Sequence, residues 1–206
     1  CSVATIQQSL TTFEDPELKS ATELASIQAI EFWISVAKNE DKIQEEIDAA
    51  QAENEPTELN NLHYTQHALN QIVPLLLQCM CLQPEDVDDD SYNITLSALN
   101  CLTEFATQCD ISIFNIVIPQ VQSSIQSQDW RYRDAACTAL GCLLSSPHVA
   151  EGEISTTLTQ ALAIITTLVK DPSDHVSVSA AWCLSQFSRY LPESVLSNLQ
   201  PICENA

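Results

Sequence analysis

The sequence predicts an all-α protein built from stacked helical hairpins, and three observations support this fold class. A pattern of small and apolar residues recurs along the chain with helical spacing. Only two of the 206 residues are glycine, Gly141 and Gly152, whereas β-sheet turns and phosphate-binding loops both depend on glycine. Alanine, leucine, glutamine, glutamate and serine are plentiful, which suits helices.

The recurring pattern has a small residue, a second small residue three positions on, an apolar residue at four and a large apolar residue at seven. These offsets share one helix face, and the small residues let a second helix approach closely. The copies are Ser26, Ala29, Ile30, Trp33; Ala98, Cys101, Leu102, Phe105; Ala136, Ala139, Leu140, Leu143; and Ala180, Cys183, Leu184, Phe187. They begin 72, 38 and 44 residues apart, and the last two steps lie near the period of about 40–47 residues in HEAT and armadillo repeats.

Each copy follows another apolar helix, so the predicted repeating unit is a helical hairpin. The preceding helices are expected at 1–13, 62–82, 111–126 and 154–170. Turn signals separate the helices of each pair at Asp15-Pro16, from Gln83-Pro84 onward, at Gln128-Asp129 and at Asp171-Pro172. We therefore expect one α–α superhelix over 1–206, a HEAT-repeat solenoid of about four hairpins plus the start of a fifth. The approximate repeats are 1–39, 40–109, 110–147, 148–191 and a partial 192–206.

Two acidic insertions interrupt the regular period. Residues 40–61 are polar and partly helical by the spacing of Ile43, Ile47 and Ala50, and they end in the loop signal Asn54-Glu55-Pro56-Thr57. Residues 83–93, within the second hairpin, contain five acidic residues and form what we name the acidic loop.

The net charge of −21 restricts the possible partners. No Lys or Arg occurs between Ile43 and Trp130, a stretch with 14 Asp and Glu residues. Nucleic acid and anionic membrane surfaces would be repelled by such a chain. Two interpretations stay open at this point: a basic protein partner, or acidity that serves only solubility.

Residues that could carry chemistry are few. The nine cysteines mostly fall inside apolar helical patterns and are expected to be reduced structural thiols. His63 and His67 could share a helix face and bind a metal, but neighbouring surface histidines are the simpler interpretation. No nucleophile motif, zinc-protease motif or glycine-rich phosphate loop is present, so we expect neither an enzyme nor a cofactor. The most apolar stretch, 72–82, is too short to cross a bilayer.

Several motifs together resemble the importin-β family of nuclear transport receptors. They are the acidic loop inside a hairpin, the string Asp129-Trp130-Arg131-Tyr132-Arg133-Asp134-Ala135-Ala136, the triplet Glu31-Phe32-Trp33, and Asp171-Pro172-Ser173 with Ala180-Ala181-Trp182. The matching positions run across nearly the whole chain, in order. The resemblance implies a segment from the middle of such a receptor, at about the seventh to tenth repeats.

The resemblance also implies partners and site residues. In this family the acidic loop of the eighth repeat lies on the concave side, where it contacts the basic segment of importin-α and a basic surface of the GTPase Ran. The matching residues here are Asp86, Asp88, Asp89, Asp90 and Tyr92, with Glu31 as a further acidic contact. Basic cargo signals and nucleoporins are the other partners implied, and the implied location is the cytoplasm, the nucleus and the pores of the nuclear envelope.

The chain departs from the family pattern at four places. Tyr92 stands where the family usually has Trp, and Val87 interrupts a shortened aspartate run. The first inner helix ends Lys38-Asn39-Glu40, where the family tends to carry more acid, and Ser177 replaces a common HEAT arginine. The alternative to a transport receptor is a HEAT-repeat scaffold or adaptor of the phosphatase-subunit type.

The tryptophans and the charged residues near them have structural interpretations as well. Trp33 falls on the repeat pattern and is expected in the core, whereas Trp182 lies off that face and is expected to be partly exposed. Trp130 is expected to staple adjacent repeats, and Arg133 and Asp134 to form bonds between repeats.

Overall fold

Helices account for most of the described structure. The computed structural model describes residues 2–12, 16–83 and 92–197, and no strand occurs among them. The helices are α1 (Ser2–Thr12), α2 (Pro16–Glu53), α3 (Tyr64–Met80), α4 (Ile94–Gln108), α5 (Ser112–Ser124), α6 (Trp130–Leu143), α7 (Gly152–Leu168), α8 (Asp174–Tyr190) and α9 (Pro192–Ser197). The predicted all-α hairpin array is confirmed.

The helices form two layers. Successive helices pair as α1/α2, α3/α4, α5/α6 and α7/α8, and α9 packs on α8. The second helices, α2, α4, α6 and α8, contact one another more extensively than the first helices do. We name the layer of second helices the inner layer and that of first helices the outer layer, because closer packing belongs to the concave side of a curved stack.

The repeat pattern marks the residues that fill the space between the layers. Phe105 and Phe187, the large residues of the second and fourth copies, are fully buried. The small residues Ala98, Cys101 and Ala180 are also fully buried, which is what permits the inner helices to approach. Burying a side chain the size of Phe or Leu contributes about 1.5–3 kcal/mol, so these contacts stabilise each hairpin on its neighbours.

The helix α2 is longer than the pattern alone indicated. It runs without a break through the expected repeat boundary between residues 39 and 40 and continues to Glu53. The reason is local: no glycine or proline occurs between Pro16 and Pro56, and the intervening residues are mostly good helix formers. The polar insertion at 40–61 is therefore a helical extension followed by a loop.

A side chain from α2 caps the start of α3. The carboxylate of Glu40 is buried and accepts hydrogen bonds from the backbone N–H of Tyr64 and of Thr65 and from the Thr65 hydroxyl. The residue before α3, His63, has a left-handed φ of 50° and no side-chain cap of its own. Glu40 thus satisfies N–H groups that a helix start leaves unpaired, and it fixes the second hairpin to the first.

The described cysteines are free thiols, most of them buried. Burial raises the pKa of Cys79, Cys137 and Cys142 to about 12, because a thiolate would lose its hydration. These thiols are therefore packing groups with little nucleophilic character at neutral pH. Within the described ranges, no helix has the length and apolar character needed to cross a membrane.

Candidate partner-binding site

Two residues singled out by the sequence, Glu31 and Tyr92, meet in the structure. Glu31 lies on α2, and Tyr92 precedes α4, whose first turn is capped by the Asn93 side chain at 2.9 Å from Leu96 N. The Tyr92 hydroxyl donates a hydrogen bond to Glu31 Oε1. The other four predicted site residues, Asp86, Asp88, Asp89 and Asp90, lie outside the described residues.

A cavity of about 350 Å³ surrounds this contact on the inner layer. Its lining side chains come from α2, α4 and the residue preceding α4: Glu31, Ile34, Lys38, Tyr92, Asn100, Thr103 and Glu104. Two carboxylates and one ammonium line this cavity, and Lys38 Nζ lies 3.5 Å from Glu104 Oε1. The cavity therefore offers acceptors for a cationic side chain, with a tyrosine ring at its edge.

Tyr92 takes part in this cavity as a neutral donor. Partial burial raises the pKa of its hydroxyl, and the hydrogen bond to the Glu31 carboxylate raises it further. The hydroxyl thus keeps its proton at neutral pH and orients the Glu31 carboxylate. It adds an aromatic face, on which a Lys or Arg side chain can pack.

The polar contacts continue along the seam between α2 and α4. The backbone N–H of Ile94 donates to Glu23 Oε1 at 3.5 Å, and Gln108 Nε2 donates to Asp41 Oδ1 at 2.8 Å. From Glu23 to Asp41 the helix rises about 27 Å at 1.5 Å per residue. Acidic groups therefore follow one inner-layer seam over a distance that matches an extended basic peptide of about eight residues.

Glu104 is a site residue that sequence reasoning did not single out. It directly precedes Phe105 and is not one of the four positions of the repeat pattern. The pattern therefore predicts only that Glu104 points away from the core. Whether it meets Glu31, Lys38 or solvent depends on how α2 and α4 are rotated against each other. Its position as an isolated acid on an inner helix is the one signal that could have suggested it.

The third and fourth hairpins are joined by several specific contacts. The Trp130 indole stacks on the His175 ring with centroids 4.5 Å apart, and Arg133 binds Asp171 through two hydrogen bonds of 2.8 and 2.7 Å. Ser179 donates to Asp134 Oδ1 at 2.6 Å. Trp130 therefore staples adjacent repeats, and Arg133 and Asp134 bond between repeats, as the sequence predicted.

The two other tryptophans have different surroundings. Trp33 is half-buried, meets the Phe105 ring edge-on at a centroid distance of 6.2 Å and donates from Nε1 to Ser2 Oγ at 3.2 Å. It packs on the core as expected. Trp182 is also half-buried, which agrees with the predicted partial exposure.

The outer layer has an open apolar groove between α5 and α7. Its volume is about 510 Å³, and its lining is mainly aliphatic and aromatic, with Ile111, Phe114, Ile118, Ile154 and Leu158 among the lining residues. Pro119 lies inside α5 at this groove, and it leaves the carbonyl four residues earlier without its helical N–H partner.

Comparisons with known sequences agree with the repeat architecture. The HEAT-like repeat family matches residues 130–187. Importin subunit beta-1 of Schizosaccharomyces pombe is 35% identical over 176 residues, or 85% of this chain and 20% of that protein. The same subunit of Saccharomyces cerevisiae is 30% identical over 190 residues, or 92% and 21%, and that of Arabidopsis thaliana is 32% identical over 187 residues, or 89% and 21%. The chain spans about a fifth of the length of these relatives.

Solved structures give the same relationship. A structure of Kap95p, whose binding induces the switch loops of RanGDP to adopt the GTP-bound conformation, matches with a TM-score of 0.81 and 26% identity over 97% of this chain and 22% of that one. A Kap95:Nup1 complex matches with a TM-score of 0.78 and 27% identity over 92% and 21%. Yeast importin-beta matches with a TM-score of 0.76 and 29% identity over 91% and 20%. The chain is therefore a HEAT-repeat array that is homologous, over most of its length, to importin-β.

Proposed function

We propose that this chain is the partner-binding segment of a nuclear import receptor, in which the acidic inner layer binds a Lys/Arg-rich chain. The basic segment of importin-α and basic cargo signals are the intended ligands, and a basic surface of Ran is a further one. The observation that carries the proposal is the cavity between α2 and α4, where the Glu31 and Glu104 carboxylates and Tyr92 face a common space.

The physical basis is electrostatic complementarity. A chain with a net charge of −21 raises the local concentration of a basic ligand and its association rate. Arginine side chains bind carboxylates with two parallel hydrogen bonds, so a row of acidic groups can grip successive arginines. The resemblance to importin-β adds the aspartates of the acidic loop as further groups that bind such a ligand. Binding should weaken with salt because exposed charges are screened over about 8–10 Å.

The relatives support the choice of partners. Kap95p acts on the switch loops of RanGDP, and Kap95 forms a complex with Nup1. For a nucleoporin, the apolar groove between α5 and α7 is the surface we propose, since it can bury an apolar side chain of an extended segment. With such partners, the locations we propose for the receptor are the cytoplasm, the nucleus and the pores of the nuclear envelope.

The direct test compares two charge-matched double variants. Glu31→Gln with Glu104→Gln removes both cavity carboxylates and leaves an oxygen that can accept from Tyr92. The control, Glu45→Gln with Glu46→Gln, removes two exposed carboxylates farther along α2. A labelled importin-α basic segment is titrated into each by fluorescence anisotropy at low and moderate salt.

We expect the cavity variant to lose about 0.4–2 kcal/mol of binding free energy, the sum of two exposed ion pairs, and the control to lose less. Equal affinities for the two variants would show that only the overall charge matters. Absence of binding by the unaltered chain at low salt would reject the function itself and leave the scaffold alternative.

The nucleoporin surface has its own test. Ile111 is 44% exposed, lines the groove and lies directly before α5 with helical backbone angles, where a negative side chain interacts favourably with the helix dipole. Ile111→Asp should therefore weaken binding of a nucleoporin segment without unfolding the chain, whereas Leu196→Asp, at an exposed residue on α9, should not. Unchanged binding by Ile111→Asp would remove this groove from the proposal.

A further inference from the structure

The acidic cavity already contains a cation of its own. Lys38 lies two helical turns after Glu31 on α2, lines the cavity and places Nζ 3.5 Å from Glu104 Oε1. The Lys38 side chain is 58% exposed and that of Glu104 is 30% exposed. The chain has only seven basic residues, and one of them occupies a carboxylate of the proposed ligand site.

An ammonium at this position has two effects on an arriving basic side chain. It occupies the Glu104 oxygen that a ligand ammonium or guanidinium would use, and it repels that ligand as a like charge. Both effects act against binding at Glu104, whereas the Glu31 carboxylate is held by the Tyr92 hydroxyl and stays an acceptor.

We propose that Lys38 is an internal competitor that sets the affinity of the cavity for Lys and Arg side chains. The inference rests on the proposed function, because it concerns the same cavity and the same class of ligand. A ligand must displace the Lys38 ammonium from Glu104 to use both carboxylates. Chains with several closely spaced cations meet this condition more readily than a single basic residue, so Lys38 favours Lys/Arg-rich segments.

Displacement is feasible because the ion pair between Lys38 and Glu104 is weak and the lysine side chain is flexible. An ion pair with one partner more than half exposed contributes little in water. The lysine side chain has four rotatable carbon–carbon bonds and can turn its ammonium into solvent. Lys38 thus lowers the affinity without blocking the cavity.

The test replaces lysine by a side chain of similar length without charge. Lys38→Met removes the ammonium from the cavity, and Lys42→Met is the matched control, since Lys42 is exposed one turn farther along α2 and is not a lining residue. Each variant removes one positive charge and makes the net charge one unit more negative, so long-range attraction rises equally in both. A Lys/Arg-rich peptide is titrated into both variants and the unaltered chain.

We expect Lys38→Met to bind the peptide about two- to fivefold more tightly than Lys42→Met, which corresponds to the typical strength of an exposed ion pair. Lys38→Arg should return the affinity to that of the unaltered chain. Equal affinities for Lys38→Met and Lys42→Met, or weaker binding by Lys38→Met, would overturn the inference.

A second comparison tests whether Lys38 acts through Glu104. In a Glu104→Gln background the advantage of Lys38→Met over Lys42→Met should be smaller than in the unaltered chain, because only the repulsion of the ligand is then relieved. If Lys38→Met still gives its full gain there, competition for Glu104 is rejected. Failure of the unaltered chain and both lysine variants to bind would reject the proposed function and this inference together. A chain that binds through Glu31 and Glu104 but does not respond to Lys38→Met rejects only the inference.

Discussion

The indole of Trp182 on α8 packs closely against Gly141 on α6. A Cβ atom added at residue 141 would be 2.1 Å from Cζ3 of the Trp182 ring and 2.8 Å from Cη2. Glycine inside a helix costs about 1 kcal/mol relative to alanine. The close packing of the indole on the α6 backbone accounts for the presence of glycine at this position, and it brings the third and fourth hairpins together.

Gly141→Ala should therefore destabilise the chain despite the better helix propensity of alanine. We expect a loss of about 1–3 kcal/mol of unfolding free energy, the usual cost of overpacking a filled interface, measured by urea denaturation. The double variant with Trp182→Ala should remove the clash, so that Gly141→Ala becomes neutral or stabilising in that background. A stabilising effect of Gly141→Ala in the unaltered chain would contradict this packing.

The ion pair between Asp171 and Arg133 should make the chain less stable as the pH falls into the acid range. The hydrogen bonds from the Arg133 guanidinium lower the pKa of the Asp171 carboxyl below its ordinary value. The contribution of the Asp171 carboxylate to the free energy of unfolding is therefore fully present above the pKa of about 3.9 in the unfolded chain. It is lost as the pH falls through the lower pKa in the folded chain.

Asp171→Asn should cost about 1–3 kcal/mol at pH 7, the cost of leaving a nearly buried charged partner incompletely bonded. The difference in denaturation midpoint from the unaltered chain should close as the pH falls below about 4. A difference that stays constant between pH 7 and pH 3 would show that the ion pair is not its cause.

Asp134 should show the opposite pH dependence. Burial raises the pKa of its carboxyl, and among the described residues neither Asp134 Oδ2 nor Gln83 Oε1 has a hydrogen-bond partner, although both atoms are buried. A raised folded pKa means that the stabilisation is present below the unfolded value and is lost as pH rises through the folded value.

Asp134→Asn removes the buried charge and keeps an acceptor for the Ser179 hydroxyl. We expect it to stabilise the chain by about 1 kcal/mol at pH 7, with the gain fading towards pH 4. The Asp171→Asn variant serves as its charge-matched control. A loss of stability at pH 7 would mean that the interactions of the Asp134 carboxylate stabilise the chain by more than the desolvation of its charge destabilises it.

The sequence predicted those parts of the fold that depend on local periodicity. Phe105, Leu140 and Phe187 were placed in the core from their spacing alone, and all three are buried, because a helix repeats every 3.6 residues whatever its neighbours are. Arg133 was assigned to bonds between repeats and is found in one with Asp171. For each of these residues, the spacing along its own helix was enough to predict which way the side chain faces.

Features that join distant parts of the chain were not predictable in the same way. Glu40 caps α3 through Tyr64 and Thr65, which are 24 and 25 residues away, and no local signal indicates such a partner. The pairing of Lys38 with Glu104 depends on the rotation of α2 against α4. Glu31 and Tyr92 were named from a family resemblance, and their hydrogen bond to each other is known only from the structure.

The central claim is that the acidic loop, together with the cavity carboxylates, recognises a basic partner, and one titration tests it most directly. The variant replaces Asp86, Asp88, Asp89 and Asp90 by Asn, which removes four charges and little volume. The control removes four exposed charges elsewhere, as Glu45→Gln, Glu46→Gln, Asp48→Asn and Glu53→Gln on α2. Circular dichroism should show the same helical content in all three proteins.

A labelled importin-α basic segment is titrated into the unaltered chain and both variants at two salt concentrations. We predict that the loop variant loses about 1–4 kcal/mol if the pairs add, or up to roughly a thousandfold in affinity, and that the control loses clearly less. The loss should be larger at the lower salt concentration. If the unaltered chain binds and the loop variant matches it at both salt concentrations, the acidic loop is not a binding site and the central claim is contradicted.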